Sequence, residues 1–445
     1  MLGYYLILAF RSLRRSPGLT ALMMFSIGFG VAASMTTYAV FRGVSGDPIP
    51  WKSSRLFVPQ IDAWGPVQMT SPGARSDTHE PPDAMDYADA MALIHDHRAS
   101  LQSVIYAVAP TVLPTGAERG PIPVFGFGVY GEFFPMLDVP FEYGSGWPAS
   151  DDADGASVVV ISSALNQQVF GGGNSVGRPF DMDGKVYRVM GVMKPWNPQP
   201  MFFDVVDTGG FGGDGAQVFV PLQRAIASGM DRAGALNCPK GVQPGPGPDG
   251  LQQSSCVWLA YMVELDDAIA VKNYRQYLDN YAREQRRIGR FNWPPDNRLR
   301  DVPAFLDAEH VVPDDTHVSL LVALALLLVC LINTIGLLLA KFLRRSGEIG
   351  VRRALGASRR AIHAQFLTEA AVVGAGGGVL GVVLTWIGIW EVNRVLPLRL
   401  ANLAHIDPML LVLTLAVAIG ASVLAGVYPT FRAAGVQPAW QLKAN

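Results

Sequence analysis

Apolar residues along this chain gather in four long runs, Gly18 to Val40, Val318 to Ala340, Ala370 to Trp390 and Pro408 to Tyr428. Each reaches the ~20 residues a helix needs to cross a bilayer core, so each predicts a membrane span. Between the first two runs, from about Arg42 to His317, the pattern changes to short alternating stretches. Strands are predicted at Arg55 to Ile61, Leu101 to Val108, Ile122 to Val129, Ser157 to Ile161, Lys185 to Met193, Gln217 to Val220 and Val257 to Leu265. Helices are predicted at Asp83 to His97, Ser163 to Phe170 and Asp266 to Gly289. The expected fold is a polytopic α-helical membrane protein with four transmembrane helices and a large α/β extracytoplasmic domain inserted between helices one and two. Within that domain the middle of the segment is expected to form a lobe inserted into a unit built from its two ends.

Before the first run, Leu2, Leu6, Ala9, Phe10 and Leu13 share a helical face, with Arg11, Arg14 and Arg15 off it and Pro17 ending the turn. Such a helix lies along a membrane surface before the chain turns in. The first run is about twice the length of a signal-peptide core, which argues against cleavage.

Composition agrees with spans attached to a soluble domain: only 16% of residues are charged, and mean hydropathy is +0.24. Basic residues set the orientation. Arg11, Arg14 and Arg15 precede the first span, Lys341, Arg344, Arg345, Arg352, Arg353, Arg359 and Arg360 separate the second and third, and Arg432 and Lys443 follow the fourth. All three clusters belong in the cytoplasm with both termini, and the long segment belongs outside with the short connection bearing Arg394 and Arg399.

Of three cysteines, Cys330 lies inside a span as a small apolar filler. Cys238 and Cys256 bracket the stretch KGVQPGPGPDG, which cannot pack a core, and a disulfide between them is the economical way to order it in an oxidising space. Two cysteines without a nearby His lack the ligands of a zinc site. His79, His95 and His97 lie around Asp86 and Asp89, but residues two apart on a helix diverge, so a solvated helix end is expected there and no metal. Glycines at Gly171 to Gly173 and Gly209 to Gly215 mark loops and not phosphate cradles. Gly184-Lys185 comes closest to a nucleotide-binding loop, but Pro179 stands where its first glycine is needed and Val186 where its hydroxyl is.

The short stretch EIGVRRALGA, Glu348 to Ala357, lies between two spans on the basic side. Glu348 and Arg352 are four apart and can pair on a helix, Ile349, Val351, Ala354 and Leu355 offer an apolar surface, and Gly356 is a helix stop. Inside the membrane, Asn333 and Glu369 are the notable polar positions, with Glu369 near a span entrance where a loop arginine can pair with it. Gly374, Gly376, Gly377, Gly378 and Gly381 make a small-residue face for helix packing in the third span.

With EIGVRRALGAS, QFLTEA, the N-terminal AFRSLRRSPGLTALMMFSIGFGVAASMTTYAVF, the outer VYGEFFPMLDVPFEYGSGWPASDD and VVVISSALNQQVFGGGNSVGRPFDMDGKVYRVMGVM, and the final GVYPTFRAAGVQPAWQL, the chain resembles MacB/FtsX-type ABC transporter permeases of the MacB-like branch over nearly its whole length. The resemblance implies these boundaries: amphipathic helix 1–16, spans 17–42, 318–340, 362–390 and 408–430, a periplasmic core domain 43–317 of porter-like and inserted lobes, a coupling loop 341–361, an outer loop 391–407 and a tail 431–445. It implies dimerisation through the first two spans, as a homodimer or heterodimer, in the bacterial inner membrane. It also implies an ABC ATPase that uses ATP and Mg; the fused ATPase domain of some MacB relatives has no room here, a departure that leaves the ATPase to a separate chain, and with no complete nucleotide-binding loop this chain is expected to bind no nucleotide, cofactor or nucleic acid itself.

The ATPase contact positions implied are Glu348, Ile349, Gly350, Arg352, Arg353, Leu355, Gly356 and Ala357. The chain is then no enzyme; it passes ATPase motion through the spans to its periplasmic domain. The expected role is export of a periplasmic or membrane-associated drug, peptide, siderophore or lipid-like substrate, with a periplasmic adaptor and outer-membrane duct. The alternatives are an FtsX-like mechanotransmission regulator of an extracytoplasmic hydrolase, or a lipoprotein-release permease.

Overall fold

The computed structural model describes residues 2–65, 80–114, 120–211, 215–312, 314–395 and 408–434. His79, the connection from 396 to 407 with Arg399, and the tail from 435 with GVQPAWQL and Lys443 lie outside them. The chain forms two compact units, one from Met1–Ser45 with Pro313–Asn445 and one from Gly46–Val312.

The Gly46–Val312 unit is built on a sheet of 12 strands. They are β1 (Leu56–Gln60), β2 (Leu101–Val108), β3 (Thr111–Val112), β4 (Ile122–Pro123), β5 (Gly126–Val129), β6 (Phe141–Gly144), β7 (Val158–Ser162), β8 (Pro179–Met182), β9 (Lys185–Met193), β10 (Val218–Pro221), β11 (Ala260–Glu264) and β12 (Arg298–Asp301). Their order is β12-β1-β11-β2-β5-β10-β7-β9-β8-β3-β4, with β6 added on β9. Strands from the two ends of the segment thus occupy one side and strands from its middle the other, as an insertion demands. The two sets do not part into separate sheets, because β2 and β5 pair antiparallel from Ile105 opposite Val129 to Val108 opposite Gly126.

The single strand expected over Ile122 to Val129 is two, β4 and β5. The strands that pattern reading missed, β3, β6, β8 and β12, have two to four residues each, too few for an alternation to register, and β6, β8 and β12 also carry proline, acidic or arginine side chains. Helices follow their caps. Asp86 Oδ1 accepts from Asp89 N and starts Tyr87–Asp96 later than the Asp83 start expected, and Asp267 caps Ala268–Arg287 by accepting from Ala270 N. Arg290 then ties the two helices, its guanidinium 2.6 Å from Asp86 and also bonded to the buried Asp89. The aromatic side chains of Phe127, Phe133, Phe203 and Phe219 interlock in the core. Cys238 and Cys256 are joined in a disulfide that closes the Pro/Gly-rich loop.

Just after Ser45, Lys52 fastens the chain to this sheet. Its Nζ lies 2.9 Å from Glu264 Oε2 and donates to Pro135 O.

The helical unit holds a lead helix (Leu2–Arg15), span 1 (Pro17–Ser45), span 2 (Asp314–Leu343), a connector helix (Ser346–Ala354), span 3 (Arg359–Val395) and span 4 (Pro408–Ala434). All four spans are long and apolar enough to cross a membrane, and the protein is a multi-pass membrane protein. Span 3 has 37 residues, about 55 Å of helix against a core of ~30 Å, so it extends well past the hydrocarbon. It packs on spans 1 and 4 and on the lead helix.

The glycines of span 3 do not make one face. Gly374 and Gly378 meet span 4 at Ser422, Ala418 and Leu415, whereas Gly376 and Gly377 meet span 1 at Met24 and Ile27, with Gly381 against Gly28. Residues four apart on a helix share a face whereas those one or two apart point in different directions, so Gly374 with Gly378 and Gly377 with Gly381 serve two neighbours at once. The lead helix also differs from expectation: Ala9, Ser12 and Leu13 are buried, while Phe10 is exposed with Tyr4 and Ile7. Packing against span 3 chose the narrower face with Ser12, leaving the larger apolar side chains outward beside Arg11 and Arg14.

Candidate functional site

The connector helix starts just after span 2, ends at Ala354 with Leu355 as its cap, and is followed by Gly356 at φ +97°, a left-handed conformation that frees the turn into span 3 at glycine's low cost. Glu348 in its first turn accepts from Arg345 at 3.0 and 3.3 Å and from Arg352 at 2.8 Å, with Arg15 of the lead helix 3.9 Å away. The pairing expected between Glu348 and Arg352 is therefore present. Arg352 also donates to Gln365 of span 3 at 2.8 Å.

Arg345 faces a second acid. Its Nη1 lies 3.4 Å from Glu369 of span 3 and donates at 2.7 Å to Ser12 of the lead helix. Glu369 is fully buried; Ser12 Oγ donates to its Oε1 at 2.5 Å, and Lys341 Nζ forms an ion pair with the same oxygen at 2.6 Å, without aligned hydrogen-bond geometry. One arginine thus bridges two carboxylates, and four elements meet at one charged joint: the lead helix, the end of span 2, the connector helix and the base of span 3. Removing one member of such a set leaves a buried charge unpaired, at a cost of about 3–5 kcal/mol.

An apolar layer backs the charges. Ile349 is buried with Ile362 and Phe366, and the Phe342 and Phe366 rings stand 4.3 Å apart. This corrects one expectation: Ile349 is not part of the exposed surface, because its side of the connector helix is the side that packs. The surface left outward carries Val351, 58% exposed, and Leu355, 83% exposed. Gly350 is buried, Arg353 is half-buried, and Ala357 is half-buried in the turn.

The remaining candidates lie elsewhere. Glu369, expected to pair with a loop arginine, does so, and Asn333 is exposed on span 2. His97 caps the end of its helix and contacts Glu132 at 2.8 Å, His95 is exposed, and Asp96 accepts from Tyr277. Among the described residues no group of three or more His, Cys, Asp or Glu is placed to hold a metal ion. Sequence reading missed Ser12, Gln365 and the pairing of Lys341. The available signal was the i, i+4 spacing of Lys341 and Arg345 across the end of an apolar run, followed by a lone glutamate at the start of the next.

Residues 20–281 match the family described as MacB-like periplasmic core domain, and residues 320–438 match that described as FtsX-like permease C-terminal. An uncharacterized ABC transporter permease, YvrN of Bacillus subtilis (strain 168), is 26% identical over 318 residues, covering 70% of this chain and 68% of its own. The pyoverdine export ATP-binding/permease protein PvdT of Pseudomonas entomophila (strain L48) is 25% identical, over 82% of this chain and 49% of its own length. This chain spans about half the length of most such export relatives, as with the macrolide export protein MacB of Rhodospirillum rubrum, 26% identical over 86% of this chain and 52% of its own. The crystal structure of the periplasmic region of MacB from Actinobacillus actinomycetemcomitans aligns with 58% of this chain and 94% of its own at 10% identity and a TM-score of 0.37.

Proposed function

Because the chain belongs to the MacB/FtsX-type family of ABC transporter permeases, we propose that it takes up motion from a separate ABC ATPase at its connector helix and passes it to the Gly46–Val312 unit to drive export. The observation that carries this reading is the construction of the joint. Arg352, paired with Glu348, holds the connector helix to Gln365 of span 3 and Arg345 links Glu348 to the Ser12–Glu369 contact, while Val351 and Leu355 stay outward. A short helix that is anchored by charges on its inner side and apolar on its outer side can receive a push without yielding. Of the positions expected to contact the ATPase, Val351's neighbour Leu355 and the turn at Gly356 and Ala357 are then the contact, and Glu348, Ile349 and Arg352 are its internal supports.

The basic residues around the joint support a reading in which it lies, with both termini, on the cytoplasmic side of a bacterial inner membrane, with the α/β unit on the other side. At the far end of the relay, Lys52 ties the chain leaving span 1 to the sheet within a few residues. A permease dimer is favoured by span 2, where the Asn333 amide is exposed among apolar side chains and Gly336 has open space beside it, a small-plus-polar pattern suited to a second helix.

Purification of the tagged chain from its native membrane in mild detergent, with mass spectrometry of what stays bound, tests the reading. An ATPase is expected with the wild type and absent with Leu355→Asp, a variant whose site is too exposed to affect folding by more than about 0.5 kcal/mol. Equal ATPase recovery from both would remove the connector helix as the contact. An adaptor among the retained proteins supports export, and a hydrolase would instead favour the FtsX-like regulatory role.

A further inference from the structure

The α/β unit contains a cleft of about 950 Å³ between the end of helix Tyr87–Asp96, the turn after β5, and the short helices Ala149–Ala153 and Leu222–Ala227. Its size suits a drug-sized molecule. On its wall is Asp152, only 7% exposed. Two neutral donors hold this carboxyl in place: Gly131 N reaches Oδ2 at 2.8 Å and Trp147 Nε1 reaches Oδ1 at 2.7 Å. The charged groups acting on it are other acids, Glu132 and Asp151, and burial lifts it to about 6. Each of its oxygens keeps acceptor capacity after those two bonds.

A buried carboxyl lacking a counter-charge is costly unless something supplies one. The rest of the wall favours a cation as that supply. Glu132 and Asp154 add acidic character, and the lining guanidinium, Arg224, is drawn over the Tyr187 ring at 5.6 Å. The Glu132 carboxylate is already held, by His97 at 2.8 Å and by Gln102 N at 2.8 Å, so it contributes field without needing to move. Trp147, Tyr130, Ile94 and Pro135 provide aromatic and apolar surface beside these charges.

We propose that this cleft is a binding site for a monocationic amphiphile, whose ammonium pairs with Asp152 and whose apolar body lies along Trp147 and Tyr130. An anionic ligand would meet three carboxylates, and a wholly apolar one would leave Asp152 as it is. The site belongs to the α/β unit alone and does not rest on ATPase coupling, so it goes beyond the transport reading and its failure would leave ATPase recovery unaffected.

The test uses the full chain in lipid nanodiscs, with dansylcadaverine as the cationic probe, its N-acetyl derivative as the neutral counterpart, and empty nanodiscs to subtract partition into lipid. Saturable binding is expected for the amine, and about ten-fold weaker binding for the acetylated probe and for the Asp152→Asn variant. Ala153→Trp, at an exposed lining position with Asp152 intact, is expected to block binding by filling the cleft. That variant decides the matter if Asp152→Asn disturbs folding. Equal binding of the two probes, no saturable binding of the amine, or binding unchanged by Ala153→Trp would each overturn the assignment.

Discussion

Ser12 of the lead helix donates to Glu369 of span 3 at 2.5 Å, a contact between residues 357 positions apart in the chain. It places the first helix of the protein on the same carboxylate that Lys341 and Arg345 reach from the end of span 2. A single buried acid therefore holds together the elements through which a push on the connector helix would have to travel.

Glu369→Gln should retain an acceptor for Ser12 but strand Lys341, whose side chain is only 4% exposed. The expected loss is about 3–5 kcal/mol, read as a lowered melting temperature in nanodiscs. The double variant Glu369→Gln with Lys341→Met should recover much of that loss. If Glu369→Gln melts with the wild type, Glu369 does not lock the joint.

Helix packing at the glycines should depend on which neighbour each meets. A Cβ at Gly374 would lie 2.6 Å from Ser422 Cβ and 3.0 Å from Ala418 O, against helix backbone that cannot swing aside. Gly374→Val is expected to destabilise by about 1–3 kcal/mol through overpacking, whereas Gly336→Ala, with nothing within 4 Å, should leave the melting temperature of the monomeric chain unchanged or slightly raised. Similar losses in both variants would contradict the assigned span 3–span 4 contact.

The pH dependence of the α/β unit should carry the signature of Asp152. Burial raises its carboxyl from 3.8 to about 6, with Glu132 and Asp151 adding repulsion against the two hydrogen bonds that favour the anion; Asp154, His97 and Arg224 share the same cleft. Between those two pH values the folded chain holds a proton that the unfolded chain has released, so stability falls as pH rises through the window. The decline is complete above about 6 and amounts to roughly 3 kcal/mol. Melting curves of wild type and Asp152→Asn should diverge across that window, with the variant the flatter; parallel curves would show that Asp152 is not the group responsible.

The disulfide closes a loop with a sequence separation of 18, which stabilises by about 3 kcal/mol in the chain-entropy account. Reduction is expected to lower the melting temperature of the wild type and to shift its electrophoretic mobility. Cys238→Ser should show neither response; a mobility shift persisting in that variant would mean that another thiol is paired.

Much of the architecture was legible along the chain because the signals are local. Four apolar runs match four helices, and strands β2 and β9 run over the residues their alternation marks. The connector helix was legible in part: the Glu348–Arg352 pair follows from i, i+4 spacing, but the burial of Ile349 does not, since nothing in a nine-residue helix says which apolar side will meet Ile362 and Phe366. The same limit explains the lead helix, where Ser12 is buried and Phe10 exposed.

The sequence by itself determined the spans, the inserted α/β unit, the cysteine pairing and the family, since span length, residue alternation, loop composition and motif are each properties of contiguous residues. Only the tertiary structure decided that Ser12, Lys341, Arg345 and Glu369 form one joint, that the span 3 glycines serve two neighbours, and that Asp152 lines a cleft without a counter-charge. Those facts depend on which faces of distant segments come together, and the free energy that selects them comes from burying apolar area and pairing charges across the whole fold, not from any stretch of it alone.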